Sequence, residues 1–321
     1  MSTVAVTGGA GYIGSNVCKA LLDKGYKVIV LDDFSSGIVS RIQNLDVEIK
    51  MGSILDRNFL INSLKNVDSV IHLAAKKSVE ESVQNPLMYY LNNVSGTLNV
   101  ISAMLVHRIK QIVFSSTAVV YASTSEMALK EDSPKKPISP YAQSKLFIEN
   151  FLQELREAEE LSSICLRYFN VVGSGGKGLG DKARDNLVPK VFAALTSGQT
   201  PEIYGSDYQT KDGTCIRDYV HVKDLADAHV AALEFLLKNE VAEVFNVGSG
   251  KGYSVKEVMD QIRITTNIDF QPRLAARRSG DPDRLIADIE KIETMLGWKP
   301  ISSLSEMIES AWNSYSAKKS E

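Results

Sequence analysis

The sequence predicts an α/β chain in which a doubly wound parallel sheet carries a smaller α+β lobe. Three observations predict it. Short runs rich in β-branched residues alternate with longer amphipathic stretches through the first 170 residues. Those short runs are apolar along their length, as strands buried on both faces are. Beyond Asn170 the texture changes to a glycine-rich loop (173–180, GSGGKGLG), shorter helices and a turn-rich insertion (205–213, GSDYQTKDG).

Strands are expected at residues 3–7 (TVAVT), 27–32 (KVIVLD), 69–73 (SVIHL), 111–115 (QIVFS) and 163–168 (SICLRY). Helices are expected between them at 12–24, 57–64, 86–107 and 140–159. Further helices are expected at 186–196, 223–237, 254–264 and 304–315. The division that follows is residues 1–170 for the sheet domain and 171–321 for the lobe, with a soft boundary. Residues 244–247 (VFNV) are a candidate strand returning to the large sheet.

Of the 321 residues, 44% are hydrophobic and 23% charged, with a net charge of −3 and no long basic run. Nucleic acid and anionic membrane are therefore not expected as partners. The N-terminus lacks a basic stretch followed by an apolar one, and no apolar run approaches the ~20 residues of a membrane span. Cys18, Cys165 and Cys215 are odd in number and widely spaced, which points to reduced thiols in the cytoplasm. His72, His107, His221 and His229 show no metal-ligand spacing, and His221 reads as structural.

Residues 7–15 read TGGAGYIGS. Gly8, Gly11 and Gly14 fall between the first strand and the first helix. There they permit a tight turn, a close approach of backbone to a pyrophosphate, and close helix–strand packing. Asp32 ends the second strand, where its carboxylate would meet ribose hydroxyls and repel a 2′-phosphate. A Rossmann-type site for NAD, in preference to NADP, is the expectation. The spacing G-x-x-G-x-x-G resembles that of short-chain dehydrogenases.

Residues 139–145 read SPYAQSK. Ser139 and Pro140 are suited to an N-cap and a first helical position. Tyr141 and Lys145 then share one helical face. A neighbouring ammonium, with the positive nicotinamide ring, favours a phenolate that accepts a proton from a substrate hydroxyl. Thr117 closes the preceding strand run (FSSTAVVY) and offers a hydroxyl to the same substrate oxygen.

With these residues in hand, the chain resembles the UDP-glucose 4-epimerase family of extended short-chain dehydrogenases over nearly its whole length. The matching runs are TGGAGYIGS, ESVQNPLMYYLNNVSGTLNVISAM, FSSTAVVY, SPYAQSKLFIE, LRYFNVVG, GSDYQTKDGTCIRDYVHVKDLA and FNVGSGKGYSV. The resemblance implies that NAD stays bound and that a UDP-hexose is oxidised at C4, turned over and reduced on its other face. It implies cofactor contacts from Tyr12, Ile13, Asp33, Ser36, Gly37, Ile54, Leu73, Ala74, Ala75, Lys77, Asn92 and Phe169. Ser53 stands where the family often has an acid facing adenine, so that charge is missing here. Substrate contacts are implied from Asn170, Asn186, Leu187, Ile203 and Tyr204, the last two flanking the uracil. Arg217 and Arg278 would clamp the diphosphate, to which guanidinium forks are suited. A pair between Arg217 and Asp218, and a role for Arg277 in place of Arg278, stay open. Leu285 would line the sugar pocket.

Three other functions compete. A 4,6-dehydratase would need proton-moving residues after Thr117, but Ala118 and Val119 occupy those places. Epimerisation of UDP-N-acetylglucosamine or UDP-glucuronate is the second, and a non-catalytic NAD-binding module the third. Apolar arcs on helices 86–107 (Val94, Leu98, Val100, Ile101, Met104, Leu105) and 140–159 (Leu146, Phe147, Ile148, Phe151, Leu152, Leu155) suggest a homodimer joined by a four-helix bundle.

Overall fold

The structure, a computed structural model, describes residues 2–122, 127–183, 186–278 and 281–316. Its strands are β1 (Thr3–Thr7), β2 (Lys27–Asp32), β3 (Val47–Met51), β4 (Ser69–His72), β5 (Gln111–Thr117), β6 (Ser162–Tyr168), β7 (Asn170–Val172), β8 (Glu202–Tyr204), β9 (Ile216–His221), β10 (Ala242–Val247), β11 (Gly252–Ser254), β12 (Arg273–Ala275) and β13 (Arg284–Leu285). Seven of them form one parallel sheet in the order β10-β6-β5-β4-β1-β2-β3. Strand order reverses between β1 and β4, and the crevice outside their carboxyl ends is where such sheets bind ligands.

Helices α1 (Tyr12–Asp23), α2 (Arg57–Ser63), α3 (Val79–Gln84), α4 (Pro86–Tyr89), α5 (Gly96–Val106), α6 (Pro140–Glu159), α7 (Leu187–Thr196), α8 (Val222–Leu236), α9 (Val255–Thr266), α10 (Glu290–Leu296) and α11 (Leu304–Ser316) complete the chain. Val17 and Leu21 of α1 and Leu225 and Leu233 of α8 bury one face of the sheet. Leu60 of α2, Met104 of α5, and Ile148 and Leu152 of α6 bury the other. The lobe has its own core, in which α7, α9 and α11 meet through Phe192, Met259 and Met307.

Three features differ from the sequence reading. Strand β3 was not expected: Val47-Glu48-Ile49-Lys50-Met51 is an exposed edge strand, so it lacks a continuous apolar run. The helix expected at 86–107 is interrupted by a π-helical turn, Tyr90–Ser95. There the Thr97 hydroxyl donates to the Asn93 carbonyl at 2.5 Å, supplying a partner outside the regular ladder. Third, α8 lies on the large sheet and not in the lobe; β10, which contains residues 244–247, pairs with β6 in that sheet, as the sequence suggested. The chain therefore crosses between the two bodies more than once after Asn170.

Beneath the carboxyl edge lies a buried ion pair. Glu149 of α6 receives the Arg167 guanidinium of β6 through Nη2 at 2.5 Å and Nε at 2.9 Å, with both side chains about 2% exposed. The Ser116 hydroxyl also donates to Glu149, and Arg167 Nη1 donates to the Tyr121 hydroxyl at 2.9 Å. Tyr121 in turn donates to Asn246 of β10 at 2.6 Å. One network thus joins α6, β5, β6 and β10. Replacing Glu149 by alanine leaves the guanidinium buried without its partner. We expect Glu149→Ala to cost about 3–5 kcal/mol of stability, measured as a lowered urea midpoint. A midpoint equal to that of the parent would show that the pair is dispensable.

Candidate active site

The glycine turn after β1 is shaped for a dinucleotide. Gly8 adopts φ +70°, and a Cβ there would lie 2.8 Å from the Ala74 nitrogen. A Cβ on Gly14 would lie 2.1 Å from the Gly8 carbonyl oxygen, so the first turn of α1 packs directly on the loop. Gly11 occupies the N-cap of α1 with no side-chain cap, and that turn contains no acidic residue. The helix end therefore keeps its positive pole and donors for an anion. Asp32 accepts from the Ala10 amide at 3.0 Å and the Phe34 amide at 2.8 Å. A Cβ on Gly37 would lie 2.5 Å from that carboxylate, which explains glycine there. Asp33 caps its own turn by accepting from Ser35, and Ser36 beside it is exposed.

Strand β4 meets the same turn. The amides of Leu73 and Ala74 each donate to the Thr7 hydroxyl at 3.2 Å, placing 73–75 beside the glycines. Thr7 Oγ1 also meets His72 Nδ1 at 2.6 Å, and His72 Nε2 meets Thr97 at 2.8 Å. Lys77 is exposed, and Asn92 lies on the π-helical turn beside a cavity of about 560 Å³. Ser53 accepts from the Leu55 amide at 3.2 Å, so its hydroxyl serves a local turn. Ile54 is buried against Gly96. Tyr12 points away from the turn and donates to the Gly173 carbonyl at 2.8 Å, while Ile13 packs on the sheet core.

Ser139 accepts from the Ala142 amide at 3.2 Å and Pro140 opens the helix, as the sequence predicts. Tyr141 is half-buried with its ring edge against Tyr89. Burial pushes its phenol up to about 12, and a hydrogen bond with the Thr117 side chain acts in the opposite sense. Lys145 is only 3% exposed. Its ammonium donates to the Ser115 carbonyl at 2.7 Å and lies 4.7 Å from the Phe114 ring centroid. Burial pulls it down to about 7, opposed by Cys165 and Glu149. This refines the sequence argument: at neutral pH the lysine is only partly charged, and burial of the tyrosine opposes the phenolate. His72 is pulled down to about 3, first by burial and then by the charge of Lys145. Such shifts converging at strand ends are characteristic of reacting sites.

In the lobe, β9 pairs with β11, β13 and β7. Register places Leu285 opposite Arg217. Leu285 packs on the cluster that holds Ala118 and Phe169, which brings it towards the end of β5. Arg217 pairs with Asp281 at 2.5 Å and not with Asp218. Asp218 instead accepts from Ser249, Gly250 and Ala287. Arg277 stacks on Tyr208 at 3.9 Å and pairs with Asp283, so it is committed to the loop. Arg278 lies over the Tyr204 ring at 4.5 Å. Ser279 and Gly280, which follow it, lie outside the described residues. Asn170 is exposed at the start of β7, and Leu187 is half-buried at the start of α7. Asn186 donates to Asp181 at 2.5 Å. Ile203 does not reach this surface through its side chain, which is buried in the lobe core; the alternation of the strand turns Glu202 and Tyr204 outward instead. His221 accepts from the Lys223 amide at 2.9 Å as the cap of α8 and meets Ser310 of α11, in the structural role expected.

The sequence reading passed over several members of the site. Tyr168 of β6 shares a hydrogen bond with the Ser115 hydroxyl, the residue whose carbonyl holds Lys145. Glu149 and Arg167 lie behind Lys145. One signal was available: Tyr141, Lys145 and Glu149 repeat at four-residue spacing on one helical face.

Residues 4–248 match the NAD dependent epimerase/dehydratase family, and the chain belongs to it. The chain is 45% identical to the UDP-glucose 4-epimerase of Halalkalibacterium halodurans over 97% of its own length and 94% of that protein. Among solved structures it is similar to the UDP-glucose 4-epimerase of Stenotrophomonas maltophila with bound NAD and formylated UDP-arabinopyranose, with TM-score 0.96, 33% identity, and 100% and 99% of the two chains covered. It is also similar to the UDP-Glc/GlcNAc 4-epimerase of Campylobacter jejuni, with TM-score 0.88, 38% identity, and 99% and 100% covered.

The buried lysine gives a pH signature. Its folded pKa lies below its unfolded value, so between about pH 7 and 9 the unfolded chain binds the extra proton. Lys145 therefore makes the cofactor-free protein more stable as pH rises through that window and less stable as pH falls. Relative to Lys145→Met, the parent should gain about 1 kcal/mol per pH unit there, read from denaturation midpoints. Parallel pH profiles for the two proteins would show that burial does not lower the pKa of Lys145.

Proposed function

We propose that this chain catalyses the reversible C4 epimerisation of a UDP-hexose, interconverting UDP-galactose and UDP-glucose through a 4-keto sugar. The observation that carries the reading is the convergence of Thr117, Tyr141 and Lys145 at the carboxyl edge of the sheet. They stand beside a glycine turn shaped for a dinucleotide and face a lobe bearing Arg217, Arg278 and Leu285. NAD, when bound, supplies the hydride acceptor at C4 and the donor on return. Gly8, Gly11 and Gly14 would hold its pyrophosphate and Asp32 its ribose, with Leu73 to Ala75, Lys77 and Asn92 alongside.

Tyr141 accepts the proton of the 4-hydroxyl as the C4–H bond breaks and returns it after the keto group has presented its other face. Thr117 donates to the same oxygen and fixes its position. Lys145 supplies the positive charge that draws the phenol towards its ionised form, and the Ser115 carbonyl keeps that charge in place. Arg217 and Arg278 hold the diphosphate so that the sugar alone turns. Ala118, buried after Thr117, and Val119 carry no group able to move a proton, so elimination of water has no acid here.

The direct test is conversion of UDP-galactose, with UDP-glucose detected by a coupled dehydrogenase. Tyr141→Phe keeps the ring packing and removes the proton acceptor. We expect turnover to fall by about 10²- to 10⁴-fold while NAD binding persists. Near-parental turnover would remove Tyr141 from the mechanism.

N-acetylated substrates form a second reading, favoured by the medium-sized Leu285 and the absence of a hydroxyl at that place. UDP-galactose is expected to react faster than UDP-N-acetylgalactosamine. In Leu285→Tyr the ratio of the two kcat/KM values should widen by about tenfold or more. An unchanged ratio would locate the gate elsewhere in the lobe.

The working assembly is a homodimer in the cytoplasm. Val100, Ile101, Met104, Ile148 and Leu152 belong to the subunit's own core, so they leave the proposed bundle. Of the expected arcs Val94, Leu98, Leu105, Leu146 and Phe151 stay partly buried and Phe147 is 51% exposed, with Leu87 and Leu91 exposed beside them. A two-fold pairing of these faces would bury them.

A further inference from the structure

We infer that Tyr89 is a positioning residue for Tyr141, fixing the plane of the phenol that accepts the substrate's proton; this rests on the epimerase reading above. Tyr141 is the second residue of α6, directly after Pro140. Side chains on a helix lean towards its N-terminus and pack on the turn that precedes their own Cα. For Tyr141 that turn is absent, so α6 cannot fix the ring by itself. Walls from other elements have to do so.

Tyr89 of α4 supplies such a wall. It is fully buried, and its ring meets the Tyr141 ring edge-on, with centroids 6.4 Å apart and planes at 81°. Aromatic pairs favour this arrangement. Tyr89 is itself anchored, because its hydroxyl donates to Glu81 of α3 at 2.8 Å. Burial and the Glu81 carboxylate push its phenol up, so Tyr89 stays protonated and leaves proton acceptance to Tyr141. The same segment also grips the start of α6. The Tyr90 hydroxyl donates to Gln143 at 2.8 Å, and Asn93 Nδ2 donates to the Ser144 hydroxyl at 3.3 Å. Of these three residues, Tyr89 is the one that meets the reacting side chain. Thr117 bonds to the phenol from β5, and Tyr89 holds the plane of its ring. A ring free to swing would carry its oxygen away from the 4-hydroxyl, and a misplacement of about 1 Å can cost about 10²-fold in rate.

The test compares Tyr89→Leu and Tyr89→Phe as NAD-loaded, full-length enzymes converting UDP-galactose. In Tyr89→Leu, kcat should fall about 10- to 100-fold, while KM and the inhibition constant of UDP stay within about twofold of the parent's. Tyr89→Phe keeps the ring and gives up the Glu81 bond, and its kcat should return to within about threefold of the parent's. If Tyr89→Leu does not fold, Tyr89→Met takes its place with the same expected split. Parental kcat in the variant without a ring, a loss carried by KM, or a Tyr89→Phe as slow as Tyr89→Leu overturns the assignment. If the parent itself converts no UDP-galactose, the epimerase reading fails instead. Crystal structures of the variants then still decide the role of Tyr89. The Tyr141 ring should keep its parental orientation in Tyr89→Phe and lose it in Tyr89→Leu; an unmoved ring in both overturns the assignment.

Discussion

Burial of the Lys145 ammonium is the constraint around which the site is arranged. A lysine in a nearly closed interior must find acceptors or give up its proton. Here its hydrogen-bond acceptor is the Ser115 carbonyl, its aromatic neighbour is Phe114, and Glu149 lies four residues, about one helical turn, further along α6 on the same face. That arrangement requires α6 to cross β5 at a set height, which the Glu149–Arg167 pair and the Ser116 hydroxyl maintain. It also leaves the lysine close to losing its charge. The balance between a reluctant cation and a reluctant phenol is sensitive to any charge brought into the crevice, as the cofactor's ring would be.

The two bodies divide the work along physical lines. The sheet side is built from short contacts without slack: glycine against backbone at Gly8 and Gly14, and hydroxyls of Thr7 and Thr97 bracketing a neutral His72. This suits a cofactor that is retained while reacting. The lobe presents longer side chains in alternative partnerships: Arg217 on Asp281 and Arg278 on Tyr204. Such groups can exchange partners when a nucleotide diphosphate arrives. A reaction in which the sugar turns while its nucleotide is gripped calls for this division.

The glycine turn, the end of β2 at Asp32, and the pairing of Tyr141 with Lys145 were all legible in the sequence, because each is local. Glycine spacing, strand length and helical periodicity act within a few residues, so their meaning survives without the rest of the chain. The bounds of α6 were legible for the same reason: Ser139 and Pro140 start it, and the apolar stripe carries it to Glu159. Edge strand β3 and the π-helical turn at Tyr90–Ser95 were not legible. The first has charged residues facing solvent, and the second depends on the contact between Thr97 and Asn93 across an irregular turn.

The sequence by itself determined the parallel sheet, the dinucleotide turn and the tyrosine–lysine pair, since short-range sterics and periodicity dictate them. Only the tertiary structure decided which partner each arginine takes. It gave Arg217 to Asp281 instead of the adjacent Asp218, Arg277 to Tyr208, and Arg278 to the Tyr204 ring. It also turned Ile203 into the lobe core and laid α8 on the large sheet. The reason is that an ion pair or a core contact is chosen by distance in space, and residues 64 positions apart, such as Arg217 and Asp281, become neighbours only when the lobe has folded.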